Sequence, residues 1–212
     1  MADQDPSETI RQAAADSMRH GEDIRRRVHD VTLEALKNRR FDREGIREVV
    51  RAVTQGVTQG VTDGVTHGAD AGAGGLRERL GEAFHGMDEA LTKSVEAGQQ
   101  ALRQMLATGR GFSDNELKQG VAGLKKIEHD FVDTVNQVAA SANERLRPEL
   151  KEALRQTLHA GTETGRQTAR LMAEFTLTGI ELAGEFSSRF AQLASGVLAG
   201  MADALQQRKN SK

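Results

Sequence analysis

The chain has 212 residues, 37% of them hydrophobic and 3% aromatic, and contains no tryptophan, tyrosine or cysteine. So thin an apolar content argues against one large globular core, and the absent thiols exclude disulfides, thiolate nucleophiles and cysteine-bound metals. Twenty-nine basic residues against 31 acidic ones leave a formal charge of −2, so no whole-molecule field gathers nucleic acid or anionic lipid.

The opening MADQDPSETIRQ is acidic where a secretory signal would carry positive charge before an apolar run. Together with the absence of cysteine, this predicts a cytoplasmic protein, with a granule- or membrane-peripheral position open to it. The longest uncharged stretch near the end, residues 190–202, is thirteen residues long. A spanning helix needs roughly 20 apolar residues, so no transmembrane segment is expected.

Proline occurs only at positions 6 and 148, which leaves long helices as the default. Asp5 reads as an N-cap, with Pro6 at the first helical position and Glu8 two residues further on. This predicts an N-terminal helical segment over 1–41, its helix running from about Pro6 to Asn38. Asp42 then caps a helix over about 43–72 that carries Ile46, Val49, Val50 and Val53 on one side. A third helix, about 75–109, bears the stripe Leu76, Leu80, Phe84, Met87, Leu91, Val95, Leu102 and Leu106. The run TGRGF ends it, and Ser113 with Glu116 forms a capping box for a fourth helix over 114–146. Along that helix Leu117, Val121, Leu124, Phe131, Val135, Val138 and Ala142 keep helical spacing.

Pro148 favours a new start and a last helix over 149–208, which would measure about 90 Å at 1.5 Å per residue. Its seam runs Leu154, Leu158, Gly161, Gly165, Thr168, Met172, Phe175, Gly179 and Leu182, a mean step of about 3.5 residues that matches coiled-coil packing. Further on, Phe186, Phe190, Leu193, Val197, Met201 and Leu205 follow a longer step. The expected fold is all-α, an elongated bundle of long amphipathic helices over 42–212 with coiled-coil-like packing.

One internal repeat stands out: VTQG VTQG VTDG VTHG ADAG, with Gly56, Gly60, Gly64, Gly68 and Gly72 in every fourth position. Each column advances only about 40° per tetrad around a helix, so glycine makes a shallow groove beside a valine ridge. Valine, threonine and glycine are poor helix formers, so the array needs close packing to hold it. It can be the waist of a bundle, packed on another small stripe such as Gly161 and Gly165, or the seam of a homo-oligomer. Lipid contact or a strand are the remaining readings, and a period of two gives no clean apolar side.

Chemistry is sought with little result. No two histidines lie four apart, and Glu82 with His85 forms a single Glu-x-x-His where a di-iron bundle needs two. No nucleophile elbow and no phosphate-binding loop is present. Catalytic residues, cofactors and metals are therefore not expected, and the chain does not read as an enzyme. The cluster Arg25, Arg26, Arg27, Lys37, Arg39, Arg40 and Arg43 is interleaved with acids, which suits an ion-paired rim better than a nucleic-acid surface.

Taken together, IRRRVHDVTLEAL, FDREGIREVVRAVTQGV, GRGFSDNELKQGV and RFAQLASGVLAGMADAL resemble a bacterial family of uncharacterised, wholly helical proteins. The general character is similar to that of phasins, small amphipathic proteins that coat polyhydroxyalkanoate granules and lack catalytic motifs. What this implies is a non-enzymatic protein that self-associates and binds an apolar interface, a storage granule or lipid surface. From the residues themselves, Phe175, Phe186, Phe190, Leu193, Val197 and Met201 are the expected first contact, with bundle core as their ordinary alternative. An aqueous homo-oligomeric scaffold or adaptor is the rival function.

Overall fold

The structure is a computed structural model that describes residues 5–19, 22–66, 73–108, 114–174 and 186–210. Its described residues form helices and connecting turns, with no strand among them. In chain order these are α1 (Pro6–Arg19), α2 (Ile24–Lys37), α3 (Arg43–Thr66), α4 (Ala73–Thr108), α5 (Asp114–Ser141), α6 (Leu146–His159), α7 (Glu163–Glu174) and α8 (Ser188–Asn210).

Local chemistry sets most of the boundaries. Asp5 takes the Ser7 backbone N–H on its carboxylate at 3.0 Å, and Pro6 opens α1. Asp42 does the same for α3, accepting from Gly45 N at 2.7 Å. Each such cap supplies an acceptor to a backbone donor that has no partner inside its helix. Asn143 caps α6 by accepting from Leu146 N at 2.9 Å. Pro148 thus falls inside α6, near its start, rather than at its first position.

Two expected long helices are divided. The N-terminal segment is α1 and α2, and Asp23 ahead of α2 lies in the left-handed region at φ 53°. The helix expected over 149–208 is α6, α7 and α8 among the described residues. The physical cause of its first break is Gly161, whose φ of +79° interrupts the helix after α6. Of the expected seam, Leu154 and Thr168 are buried on either side of the turn, Leu158 and Gly165 are half-buried, and Gly161 itself is exposed. Its later members Phe175, Gly179 and Leu182 lie outside the described residues, as does Ser113 of the expected capping box.

α1 and α2 form an antiparallel hairpin, with Arg39 just beyond α2 donating to the Ser7 hydroxyl at 3.0 Å. α3 and α4 form another, in which Thr54 lies opposite Met87. The first hairpin lies on the second, α1 beside α3 and α2 beside α4, each pair running the same way. α5 returns antiparallel to α4, placing Leu124 at Gly98 and Leu102 at Gly120. α6 and α7 then follow α4, tied to it by the Arg77–Glu149 ion pair and by bonds from Glu163 and Thr164 to Asp88. α8 closes the bundle against α4 and α2. The 36-residue α4 is thus the central rod, and Leu80, Phe84, Met87, Leu91, Val95 and Leu102 are wholly buried along it.

The tetrads sort by column. Val53, Val57 and Val61 are buried, Gln55 and Gln59 are exposed, and the glycines turn to α1. A Cβ at Gly56 would strike the Arg11 carbonyl and lie 2.7 Å from Ala14 Cβ; one at Gly60 would strike the Ala15 carbonyl and lie 2.8 Å from Met18 Cβ. The groove is therefore filled by α1 of the same chain, and not by Gly161 and Gly165. Gly165 instead sits beside the Glu128 carboxylate. Gly86 plays the same part on α4, where a Cβ would meet the Arg25 carbonyl and come within 3.0 Å of His29 N. Gly68 and Gly72 lie outside the described residues.

Threonine in such a core needs a partner for its hydroxyl. Thr54, Thr58 and Thr62 donate to the carbonyls of Val50, Thr54 and Thr58 at 2.7, 2.8 and 2.9 Å. Thr32, Thr92, Thr134 and Thr157 do likewise within their own helices. A bond back to residue i−4 satisfies the hydroxyl and leaves the methyl for packing. Six of the seven residues of the basic cluster are engaged with carboxylates. Arg25 meets Glu89, Arg26 meets Asp23, Lys37 meets Asp203, Arg39 meets Glu48 and Arg40 meets Asp42. Arg43 makes a two-pronged bond to the buried Asp130 at 2.6 and 2.7 Å, fixing the start of α3 to α5.

Neighbouring glycines of one repeat should respond with opposite signs. A Cβ at Gly64 meets only Arg79 Nη1, at 3.9 Å, so Gly64→Ala gains helix propensity and stabilises by about 1 kcal/mol. Gly60→Ala gains the same but forces α1 away, for a net loss of about 1–2 kcal/mol. Thermal melts followed at 222 nm should rise by roughly 2–4 °C for the first and fall for the second. Equal shifts would remove the close-approach role of Gly60.

Candidate functional site

Among the described residues no cluster of three or more histidine, aspartate or glutamate side chains is arranged to hold a metal ion. A charged cleft of about 700 Å³ lies between α2 and α4, lined in part by His29, Glu78 and Glu82. Its arginines are already engaged: Arg25 with Glu89, Arg26 with Asp23, and Arg79 with the Met18 carbonyl. What the described surface offers instead is α8, the helix that bears most of the residues expected to make interfacial contact.

α8 starts where the Ser187 hydroxyl accepts from Phe190 N at 3.3 Å, with Ala191 N bonded to the Ser187 carbonyl at 2.9 Å. Its inner line is Phe190, Ala191, Ala194, Leu198 and Ala202, all buried. Only two of these five side chains, Phe190 and Leu198, are large. Leu193, Val197, Met201 and Leu205 are half-buried and pack against the same core. Ser188, Gln192, Gly196, Gly200 and Asp203 face outward.

The firm point of attachment is aromatic. Phe186 stacks on Phe190 at 5.1 Å and 27°, and Phe41, from the turn between α2 and α3, meets both at 5.4 and 6.0 Å. Offset and edge-to-face arrangements of this kind add about 0.5–1.5 kcal/mol per pair beyond burial. Two glycines of α5 make room for the rings. The Phe190 ring lies 3.2–3.3 Å from a Cβ built at Gly120, and the Phe186 ring would overlap one at Gly123. At the other end, Lys37 Nζ donates to Asp203 Oδ1 at 2.5 Å and Gln206 donates to Glu34 at 3.0 Å. The Asp203 hydrogen bond holds the Lys37 ammonium above its ordinary pKa. Both contacts are solvent-accessible, where such pairs contribute little.

The expected contact residues therefore turn inward in this conformation. Phe190 is fully buried, while Phe186, Leu193, Val197 and Met201 are half-buried against the core. Phe175 lies outside the described residues. Among the described residues Leu106, at 52% exposure, is the one large hydrophobic side chain left open to solvent. Sequence reasoning did not find Phe41 as the third ring, nor Gly120 and Gly123 as its floor. The small pair in QGVAG was the available signal.

Fold and site together describe an all-helical protein whose usable surfaces are helix faces. The chain belongs to the family described as "Family of unknown function (DUF6781)", which matches residues 1–207. No curated protein and no solved structure matches it. Among the described residues no helix is long and apolar enough to cross a membrane.

Because both rings are packed rather than presented, glutamates at Phe186 and Phe190 should unseat α8 before they affect any binding. Limited proteolysis should cut F186E/F190E within 186–210 at least tenfold faster than the wild type, while most of the helical signal remains. Phe190→Ala should destabilise by about 3–5 kcal/mol, as expected for emptying a buried ring. An unchanged cleavage rate would deny α8 its aromatic anchor.

Proposed function

We propose that this protein is a non-enzymatic helical structural protein that binds an apolar interface, a storage granule or a lipid surface, in a phasin-like manner. Binding proceeds through α8, which leaves its seat and turns Phe186, Phe190, Leu193, Val197 and Met201 outward. The reading includes an elongated, self-associating bundle in the cytoplasm or at the periphery of a granule or membrane. The observation that carries it is the make-up of α8: an aromatic anchor at one end, Leu198 with a line of alanines and the half-buried Leu193, Val197, Met201 and Leu205 along its inner face, and two exposed polar contacts at the other end. An amphipathic helix with such a face can exchange its apolar partner for another apolar surface.

The rival is an aqueous scaffold or adaptor without lipid contact. It is favoured by the near absence of exposed large hydrophobic side chains among the described residues, Leu106 apart. On that reading Gly56 and Gly60, already filled by α1, serve packing within one chain rather than between copies.

The natural chain has no cysteine, so a pair introduced at Lys37→Cys and Asp203→Cys can be joined cleanly by a reducible bis-maleimide. The unlinked variant should float with phosphatidylcholine/phosphatidylglycerol liposomes or with polyhydroxyalkanoate particles. Linking should cut flotation at least tenfold, and reduction should restore it. Flotation of the linked form would exclude release of α8. Failure of the wild type to float with either surface would leave the scaffold.

A further inference from the structure

The N-terminus of α7 is held from outside by a carboxylate that makes no ion pair with a cation among the described residues. Asp88 of α4 is 3% exposed. Its Oδ2 accepts from Glu163 N at 2.6 Å and its Oδ1 from Thr164 N at 3.2 Å. The Thr164 hydroxyl donates to the Asp88 backbone carbonyl at 3.0 Å and lies 3.1 Å from the Thr92 hydroxyl. Beside it, the Thr162 hydroxyl accepts from Gly165 N at 3.0 Å and donates to Glu128 of α5. Two acidic side chains from two helices thus grip one helix start, immediately after the left-handed turn at Gly161.

The charged groups around Asp88 can be named by element. α5 brings Glu128, a like charge. α2 brings Arg25, whose guanidinium is engaged by Glu89 of α4. α7 brings Glu163, whose side chain pairs with Arg166 and with it stands toward solvent.

We propose that the Asp88 carboxylate is a proton-operated clamp on the start of α7, which seats the helix firmly when protonated and lets it open more often when ionised. This goes beyond the reading of α8 and does not depend on it. An ionised carboxylate buried beside a second one loses its hydration without gaining a cation, whereas the neutral acid does not bear that cost. Burial accordingly pushes the Asp88 carboxyl above the ordinary carboxylate range; the bonds from Glu163 and Thr164 oppose this, and the Glu128 charge adds to it. The seated helix therefore holds the proton more tightly than the open one. The stabilising contribution is fully present below the ordinary carboxylate range and is lost as pH rises through the raised value.

Hydrogen exchange read by mass spectrometry on peptides within 163–174, corrected for intrinsic rates between pH 4 and 8, tests this directly. In the wild type the opening constant of α7 should increase with pH, by up to about tenfold per unit for one linked proton, and then level off. In Asp88→Asn, whose side chain stays neutral throughout, the same peptides should lose that slope, and peptides from α1 should not share the difference. A flat wild-type profile, or an equal slope in Asp88→Asn, overturns the clamp. Should Asp88→Asn fail to fold, Glu128→Gln removes the like charge and must move the midpoint to lower pH. A midpoint left in place overturns it equally.

Discussion

The bundle depends on helix backbones coming closer than ordinary side chains allow. α1 lies against α3 at Gly56 and Gly60, and α2 lies against α4 at Gly86, each time with a carbonyl of one helix where a Cβ of the other would be. Dispersion falls off steeply with distance, so close contact recovers attraction that small side chains cannot supply by size. That matters in a chain with so few aromatic residues. It also explains how α4 can be surrounded: Ala83, Ala90, Ala97, Gly98 and Ala101 let neighbours approach from several sides while Phe84, Met87 and Leu91 fill the space between.

Close packing of this kind favours polar side chains that bring their own partner, and most of the buried threonines do. Threonine meets that condition within a helix by bonding to the carbonyl one turn back, and so takes places where valine would also fit. Charged groups meet it in pairs, as Arg43 and Asp130 do between α3 and α5. Asp88 departs from the rule, since its partners are backbone donors of another helix rather than a cation. Its position coincides with the turn that divides α6 from α7, where a helix end needs acceptors for its free N–H groups.

The attachment of α8 differs from the rest in kind. α1, α2 and α5 are joined to their neighbours through glycine contacts or buried ion pairs, and α7 through buried hydrogen bonds. α8 rests on three phenylalanines, a line of alanines with Leu198, the half-buried Leu193, Val197, Met201 and Leu205, and two exposed polar contacts.

The amino-acid order by itself determined helix type, several helix starts and the inward stripes. Caps at Asp5 and Asp42 act through neighbours two to four residues away, and the 3.6-residue period needs no distant partner. It also marked the glycine column as a place of close approach, because on a helix a fourth-position repeat makes a shallow groove. Only the tertiary structure decided what fills that groove, since α1 and the stripe of Gly161 and Gly165 are equally small and differ in where the chain delivers them. The same holds for the break at Gly161: a 3.5-residue seam runs alike through one helix or two, and the left-handed turn becomes favourable through the acceptor that α4 places at the start of α7. Phe186 and Phe190 were legible as apolar and helical, but whether such a face meets water, lipid or Phe41 depends on contacts across more than a hundred residues, which no local pattern encodes.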